Sequence, residues 1–481
     1  MAIIKSKKGK TPKEIIMKKS FTLFLSVLLC VAIVFSLTAC KKDEVQGLVK
    51  DKDGKTGTLW IGNTAASSGT YATVGVPFNY GLEAYLYRYN TNGGYRQDDV
   101  TYNVRLKTYD DAFVGATGLS YTQKLVEEDK VFALVGHFGT NTVAATLEYI
   151  EEKGVPMFYA ATGISALYNA DAKDNAARIM PVQPIYDGEG SVLLATAFAS
   201  VENGGLGGTK VGVLYTDDDA GLGLYGGIMS EAAKLGKTGD VVYQQVSASA
   251  TEANTQVTAI KNAGCDVVII ASNQGPLATI GASLKNSAYS GKMITSYVSS
   301  NTVTMGTLAQ QGIISEEREM YATGWLDIVD HTDTAELLGY SSEYWDFARC
   351  MNAYEAYKTG KTGDEASTVT SPYAANAYAM AGYIAAHMFC EVLDRVEESD
   401  DKLTWETFVE YAEKEKVNIP MGEYIDFSGG KRTGVTGLSL TRYTHEYTTE
   451  GEGSSAYYNS LGTLVRGLKS LEELEAGISG K

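Results

Sequence analysis

Residues 131–168 constrain the fold more than any other stretch of this chain, because they read as a strand–loop–helix–strand–loop unit. The apolar run 131–135 predicts a short buried strand. Val143, Leu147 and Ile150 then recur at i, i+4 and i+7, the spacing of a helix packed on a sheet. A buried strand followed by such a helix indicates an α/β protein with a parallel sheet.

A second predicted strand, residues 155–159, completes the unit and leaves two polar loops, 136–141 and 160–163. Open parallel sheets bind ligands at the carboxyl ends of their strands, because backbone N–H groups and helix N-termini converge there. Each loop carries a small hydroxyl, Thr140 in the first and Thr162 in the second. We therefore expect these two loops to form part of a ligand site.

The same alternation of strands and helices covers most of the chain. It runs from about residue 58 to 182 and then begins again, which predicts two α/β lobes, each a doubly wound parallel sheet. We expect the strand at 320–328 to return toward the first lobe. Long helices rich in Tyr and Ala follow it, and short strands near residues 425 and 440 extend a sheet at the end of the chain.

Charge argues against nucleic acid as a partner. The formal net charge of the 481 residues is −17. Seven lysines and a single acidic residue lie in residues 1–39, so the rest of the chain is more acidic still. The 32 tyrosines fit half-buried surfaces or the walls of a cleft, and compositional habit of the source genome explains them equally well.

The first 40 residues predict export. Lys18 and Lys19 precede the apolar run 21–37, and small residues follow it in the sequence Leu37-Thr38-Ala39-Cys40. A basic region, an apolar core and small residues before a cleavage site make a secretory signal. The ending resembles a bacterial lipoprotein lipobox, which implies cleavage before Cys40 and acylation of its thiol, for example with palmitate. An uncleaved membrane anchor is the alternative.

Two further features of this region stay open. Translation from Met1 and from Met17 both fit the pattern. Residues 40–57 are charged and punctuated by Gly, with no apolar period, and predict a flexible tether to the outer face of the cell membrane.

Cysteine spacing predicts neither a metal site nor a cofactor. Cys265, Cys350 and Cys390 remain in the body of the chain, and no CxxC or Cys/His cluster occurs. A Cys350–Cys390 disulfide and separate buried thiols are both compatible with this spacing.

From residue 59 to about 444 the order of features resembles the type I solute-binding proteins of ABC importers, the leucine/isoleucine/valine family. Besides the lipobox, the resemblance rests on Trp60-Ile61-Gly62, Ser68-Gly69, Tyr109-Asp110-Asp111, Leu125-Val126, Leu134-Val135-Gly136, Val155-Pro156 and Arg178.

The resemblance implies two α/β lobes joined by three hinge strands, with a small solute trapped between them and passed to ABC permease subunits. Lobe 1 is then expected at residues 58–182 and 321–414, and lobe 2 at 183–320 and 415–481. An exported binding protein of this kind is not an enzyme and needs no cofactor.

The resemblance also implies the ligand contacts. In the first lobe, the family pattern places the ligand's carboxylate and ammonium on a hydroxyl, a backbone carbonyl and a second hydroxyl, and an aromatic residue contributes later in the chain. In the second lobe a Tyr and a Glu are usual, but the Glu is missing here, and Asp217 or Asp218 is the expected substitute. The predicted contacts are Ser68, Thr140, Ala160, Thr162, Asp217, Gln274, Tyr297 and Tyr373.

Three other functions are weighed against solute binding for import. Gly221, Gly223 and Gly226 form a GxGxxG pattern, but the acidic residues 217–219 directly before it disfavour a pyrophosphate. Among four histidines, His137 lies in a predicted cleft loop without any nucleophile motif, so an exported enzyme is the weakest reading. A ligand-sensing or envelope-associated lipoprotein that uses the same lobes without transport remains the main alternative to import.

Overall fold

The computed structural model describes residues 45–300, 302–328, 340–443, 449–450, 457–458 and 462–478. The chain divides into two compact units, Met1–Gln46 and Gly47–Lys481, and everything below concerns the second. The predicted signal segment and Cys40 lie outside the described residues. None of the described helices combines the length and apolar character that a membrane crossing requires.

Strands and helices alternate along the chain as the sequence patterns predict. The strands are β1 (Leu48–Lys50), β2 (Thr56–Thr64), β3 (Tyr95–Gln97), β4 (Val100–Tyr109), β5 (Leu134–Val135), β6 (Met157–Phe158), β7 (Ile179–Met180), β8 (Val211–Thr216), β9 (Val241–Val246), β10 (Val267–Ala271), β11 (Lys292–Thr295), β12 (Met320–Gly324), β13 (Val417–Asn418), β14 (Tyr424–Ile425), β15 (Leu438–Tyr443), β16 (Thr449–Glu450), β17 (Tyr457–Tyr458) and β18 (Thr463–Lys469). The helices are α1 (Ala72–Thr91), α2 (Gly115–Glu127), α3 (Thr140–Lys153), α4 (Tyr186–Phe198), α5 (Asp219–Lys234), α6 (Asn254–Asn262), α7 (Gln274–Asn286), α8 (Thr302–Gln310), α9 (Ser342–Lys358), α10 (Asp364–Ser367), α11 (Ala377–Glu398), α12 (Trp405–Lys414) and α13 (Leu471–Glu475).

Two seven-stranded sheets confirm the predicted fold class of two α/β lobes. The first has the order β3-β4-β2-β5-β6-β7, with β1 on β2, and the second has the order β18-β15-β12-β11-β10-β8-β9. Neighbours within β4-β2-β5-β6-β7 and within β12-β11-β10-β8-β9 run parallel, whereas β1, β3, β15 and β18 pair antiparallel with their neighbours. We refer to the first sheet with α1–α3 and α9–α12 as the first lobe, and to the second sheet with α4–α8 and α13 as the second lobe.

One strand lies in the other sheet from the one we expected. β12 pairs parallel with β11 and antiparallel with β15, so it belongs to the second sheet and does not return to the first. The sequence pattern identifies a strand but carries no information on its partners, and one of them, β15, arrives more than 100 residues later. Apart from this strand, the residue ranges of the two lobes stay a prediction.

The predicted tether contributes a strand. β1 pairs antiparallel with β2, with Leu48 opposite Leu59. Gly47 before it adopts φ +82°, and a Cβ there would lie 2.3 Å from the backbone nitrogen of Phe132, so the chain enters directly against the first lobe. The tether prediction is wrong for the residues of β1, because ladder hydrogen bonds can hold a short strand that has no apolar period.

The interior explains why so much of the sequence reads as apolar runs. All five residues of β10 are buried, as in a parallel strand covered by helices on both faces. In the first lobe, Phe158 packs edge-to-face against Phe389 of α11 and Phe408 of α12. Cys350 and Cys390 are separate buried thiols rather than a disulfide.

Candidate ligand-binding site

A cavity of about 480 Å³ lies between the carboxyl edges of the two sheets. This volume is within the range of small-molecule sites. Three of the predicted contacts line it, Thr140 from the first lobe and Gln274 and Tyr297 from the second. The cleft between the sheets is therefore where the loop before α3 of the first lobe meets residues from far along the chain.

Helix α3 presents its N-terminus to this cavity. Gly139 and Thr140 line the wall, and the Val143 N–H is the first to bond back, to Gly139 O at 2.9 Å. Gly139 adopts φ +99°, and a Cβ there would lie 2.6 Å from the Phe113 ring, so this position requires glycine. The N–H groups of the first turn and the helix dipole favour an anionic or acceptor group at this end of the cavity.

Three buried hydroxyls form a ring behind this helix end. Thr140 Oγ1 lies 3.1 Å from Thr162 Oγ1 and 3.2 Å from the Tyr186 hydroxyl, which is 3.3 Å from Thr162 Oγ1. A closed ring uses all three hydroxyl protons, and rotating one of them aims a donor at a ligand. Thr140 and Tyr186 line the cavity, whereas Thr162 supports them from behind.

Tyr297 is fixed by a buried carboxylate that the sequence analysis missed. Glu189 accepts the Tyr297 N–H at 2.9 Å and the Ser296 hydroxyl at 2.7 Å, and it also accepts the hydroxyl of Thr323. Burial raises the pKa of Glu189 to about 7. Glu189 thereby ties α4 to the ends of β11 and β12, and the only signal for it is a glutamate within an apolar, Ala-rich helix.

Hydrogen bonds also join the two lobes across the cavity. The Tyr378 hydroxyl, on α11 of the first lobe, donates to Val298 O at 2.9 Å. Gln274, at the start of α7, donates its amide to the Tyr378 oxygen at 2.6 Å and also to Val298 O. Tyr378 thus lines the cleft and also joins the two lobes.

The remaining predicted contacts lie outside the set of described residues that line the cavity. Ser68 is exposed on the loop after β2, and Ala160 is buried behind Ala161. Tyr373 packs edge-to-face on Tyr80 at 5.0 Å. Asp217 is exposed and accepts the Ala248 N–H at 2.7 Å. Ligand contact through these four residues stays a prediction.

The glycine pattern on α5 serves helix packing. A Cβ at Gly223 would lie 3.0 Å from Tyr186 Cβ and 3.1 Å from Ser165 Oγ, and a Cβ at Gly221 would lie 2.2 Å from Thr216 O. The N-cap before them is Asp218, whose carboxylate accepts the Gly221 N–H. A carboxylate therefore occupies the place where a dinucleotide site would hold its pyrophosphate.

Two histidines among the described residues, His137 and His387, lie within the first lobe. His137 is fully buried, lies 3.0 Å from Thr146 Oγ1 through Nε2, and has its pKa lowered to about 4 by burial. His387 packs edge-to-face on Tyr85, and burial followed by the nearby Arg88 lowers its pKa to about 4. Neither lines the cavity, and both have the environment of neutral packing residues.

Aromatic and aliphatic side chains make up most of the cavity wall. Among the described residues that line it, Asp327 alone carries a charged side chain. The rings and apolar chains that line it are Tyr71, Val74, Phe78, Phe113, Phe138, Tyr186, Tyr297, Val298, Trp325, Leu326, Ile328, Tyr340, Tyr378, Met380, Tyr443 and Leu464.

Comparison with known proteins shows which family has this architecture. A family model described as "Periplasmic binding protein" matches residues 58–448. A fatty acid ABC transporter substrate-binding protein from Thermomonospora curvata has a similar structure, with a TM-score of 0.62, 15% identity, and 90% of this chain and 96% of that chain covered. The branched-chain amino acid transporter substrate binding protein LivJ from Streptococcus pneumoniae, solved with isoleucine, is similar at a TM-score of 0.61 and 16% identity, covering 85% and 99% of the two chains.

A sequence relative agrees with the family match. An amino acid binding protein from Pseudomonas aeruginosa is 24% identical over 216 residues, which span 43% of this chain and 52% of the relative. The family model and the structural neighbours confirm the resemblance to type I solute-binding proteins inferred from the sequence. The chain therefore belongs to the periplasmic binding protein family, whose members are solute-binding proteins.

Proposed function

We propose that this protein is an extracytoplasmic solute-binding lipoprotein of an ABC importer, held at the outer face of the cell membrane by a lipid on Cys40. It captures a small polar solute, an amino acid or a related compound, between its lobes. The cavity of about 480 Å³ that both lobes line is the observation that carries the proposal. The similar solved proteins include ABC substrate-binding proteins for a fatty acid and for branched-chain amino acids.

Binding begins on the first lobe in this mechanism. The polar end of the solute accepts hydrogen bonds from the Thr140 hydroxyl and from the first-turn N–H groups of α3. The second lobe then closes with Gln274 and Tyr297, and the bond between Gln274 and Tyr378 forms across the cleft. Ligand contacts from both lobes supply the differential affinity that favours the closed state, and permease subunits recognise that state.

A thermal-shift screen of the chain from residue 41 tests solute binding directly. Amino acids, amides, nucleosides and short peptides are the compounds to screen, and a ligand present at 100 times its Kd stabilises the protein by about 2.7 kcal/mol. If no compound raises the melting temperature, the solute-binding proposal fails.

Thr140→Val locates the polar end of the ligand. Valine deletes the hydroxyl at nearly constant shape, so we expect affinity to fall by about 1 kcal/mol, which corresponds to roughly fivefold. Thr140→Ser is the matched control, because it keeps the hydroxyl, and it should bind nearly as well as the wild type. If calorimetry gives the valine variant the same affinity as the wild type, the polar end of the ligand does not lie at Thr140.

Import and anchoring need separate measurements in cells. Deleting the gene should abolish high-affinity uptake of the solute found in the screen, whereas normal uptake with an altered transcriptional response would favour the sensing alternative. Incorporation of labelled palmitate that disappears in Cys40→Ser tests the lipid anchor.

A further inference from the structure

The loop between β4 and α2 contains two residues in a strained backbone conformation. Ala112 and Phe113 adopt φ +50° and +64°, in the left-handed region that residues with a Cβ rarely occupy. Residues held in this region are enriched at ligand clamps and switches, and they persist only where other contacts fix them. One such contact is made by Asp110, whose carboxylate accepts the Ala112 N–H at 3.0 Å. Two adjacent strained residues point to a segment whose position matters to the site beside it.

A buried carboxylate fixes the second of these residues. Asp111 is fully buried and accepts the Phe113 N–H at 2.8 Å. The same side chain accepts the Thr64 hydroxyl at 2.8 Å, at the end of β2, and the Thr142 hydroxyl at 2.7 Å, in the first turn of α3. The backbone of Phe113 is thereby tied both to a strand of the first sheet and to the helix that begins at the cavity.

This backbone places the Phe113 ring in the cavity wall, beside the start of α3. Phe113 lines the cavity and is 9% exposed. Its ring lies against Gly139, where a Cβ would be 2.6 Å from Phe113 Cε2, and Gly139 directly precedes Thr140. The ring also stacks on Tyr71, another lining residue, with ring centroids 3.8 Å apart and 13° between the planes. Phe113 is therefore a wall next to the hydroxyl that we propose for the polar end of the solute.

Little freedom is left to this ring. Its backbone is tied by Asp111, and the ring is in contact with the backbone of Gly139 and with the ring of Tyr71. A wall that yields admits larger groups, whereas a fixed apolar wall discriminates between ligands that differ by one methylene by about 10- to 200-fold. Phe113 is thus in a position to limit the size of the group that lies against Thr140.

We propose that Phe113 is a specificity-determining residue of this cleft, which limits the group of the solute bound at Thr140 to the size of a terminal carboxylate, amide or hydroxyl. This inference rests on the proposed function, because it takes the cleft as the ligand site. Solutes that are extended at that group, as in an ester, an N-acyl compound or a longer peptide, are then excluded by the ring and not by charge.

Derivatives enlarged at one polar group at a time test this size limit. Calorimetry on the chain from residue 41 compares the tightest solute of the thermal-shift screen with derivatives in which each amine or hydroxyl is acetylated and each carboxylate or amide is methylated. If that solute is leucine, the derivatives are N-acetylleucine and leucine methyl ester. The derivative enlarged at the group bound at Thr140 should bind the wild type at least about tenfold more weakly than the parent compound.

Phe113→Gly then tests the residue. It removes the ring, and glycine adopts φ +64° without strain, so the loop keeps its conformation. We expect the ratio of the two Kd values, derivative over parent, to fall by about tenfold or more. Phe113→Leu fills part of the space and should retain part of the discrimination. Tyr121→Ala is the matched control, because the Tyr121 ring stacks on Tyr109 and is not part of the described cavity lining, and its ratio should equal that of the wild type.

The possible failures are distinct. If solutes bind but Phe113→Gly keeps the ratio of the wild type, if the wild type binds every derivative as tightly as the parent, or if Tyr121→Ala lowers the ratio as much as Phe113→Gly does, the assignment of Phe113 is overturned while the proposed function stands. If no compound of the screen binds the wild type, the proposed function fails and this inference fails with it. The melting temperature of each variant without ligand verifies that it folds.

Discussion

The two lobes cross their helices in the same way, but burial shifts the pKa of a histidine in the first lobe and of a carboxyl in the second in opposite directions. In the first lobe α1 and α11 meet at Gly81 and Gly382, and in the second α4 and α5 meet at Gly190 and Gly227; a Cβ at each of these positions would lie within 2.1 Å of a carbonyl oxygen on the facing helix. In the first lobe burial lowers the pKa of His137 and of His387, whereas in the second lobe burial raises the pKa of a carboxyl, Glu189.

This difference teaches that a shared framework does not fix the chemistry inside it. Where two helices cross with their backbones in contact there is no room for a side chain, so both lobes have glycine at the crossing. The buried polar group depends on what each lobe must hold in place. In the second lobe Glu189 orders Ser296, Tyr297 and Thr323 behind the cavity. In the first lobe His137, within the loop that leads to α3, bonds that loop to Thr64 and Thr146.

The largest expected effect is on how stability depends on pH, because the buried groups of the two lobes should change the free energy of unfolding in opposite directions. Glu189 has a folded pKa of about 7, above its ordinary value of 4.5. Its contribution to stability is therefore full below pH 4.5 and is lost as the pH rises through 7. We expect Glu189→Gln to be more destabilising at pH 5 than at pH 7.5, by about 2 kcal/mol in the free energy of urea unfolding.

His137 supplies the opposite case in the same measurement. Its folded pKa of about 4 lies below the ordinary 6.5, so its contribution is full above pH 6.5 and is lost as the pH falls through 4. His137→Asn should therefore be less destabilising at pH 5 than at pH 7.5, again by about 2 kcal/mol. Differences of the same sign for the two variants would contradict the contrast between the lobes.

The sequence predicts the first-lobe side of the cleft better than the second. Thr140 follows from local pattern alone, since a strand, a polar loop and an amphipathic helix are read from neighbouring residues and place the helix N-terminus at the sheet edge. Thr162 was expected to face the ligand, but the ring of hydroxyls that holds it depends on Tyr186, which no local pattern connects with it.

The second-lobe side and the hinge depend on contacts that sequence periodicity does not encode. Asp327 reaches the cavity because β12 joins the second sheet between β11 and β15, and pairing with a strand more than 100 residues away leaves no local signal. For Glu189 the only signal is its position in an apolar helix, which does not reveal its three donors. The predicted substitutes, Asp217 and Asp218, are better explained by the start of α5, where a helix N-terminus prefers an acidic cap.

The glycine crossings give the next effect in size and test the similarity of the lobes. A Cβ at Gly190 would lie 2.1 Å from Leu224 O, whereas a Cβ at Gly188, on the same helix, would have no atom within 4 Å. We expect Gly190→Ala to lower the free energy of unfolding by about 1–3 kcal/mol. Gly188→Ala should raise it by up to about 1 kcal/mol, because alanine is the better helix former.

The same substitution in the first lobe completes this test. A Cβ at Gly382 would lie 1.8 Å from Phe78 O, so Gly382→Ala should cost about as much as Gly190→Ala. Urea unfolding of the three variants measures both effects. If Gly188→Ala and Gly190→Ala are equally stable, the close approach of α4 and α5 is not what requires glycine at position 190.

The smallest effect concerns the bonds that join the lobes. Tyr378→Phe removes the hydroxyl that donates to Val298 O and accepts from Gln274 but keeps the ring in the cavity wall. Because these bonds exist only when the lobes are together, the variant should weaken closure and ligand affinity by about 1 kcal/mol, or roughly fivefold, with little change in the stability of the ligand-free protein. Tyr383→Phe is the matched control. Tyr383 is on α11 like Tyr378, but it packs against Phe347 of α9 and is not part of the cavity lining. Calorimetry of both variants with the tightest solute from the screen decides the point: a loss of affinity confined to Tyr378→Phe assigns the bonds to the closed state, and equal affinities for the two variants would show that closure does not depend on them.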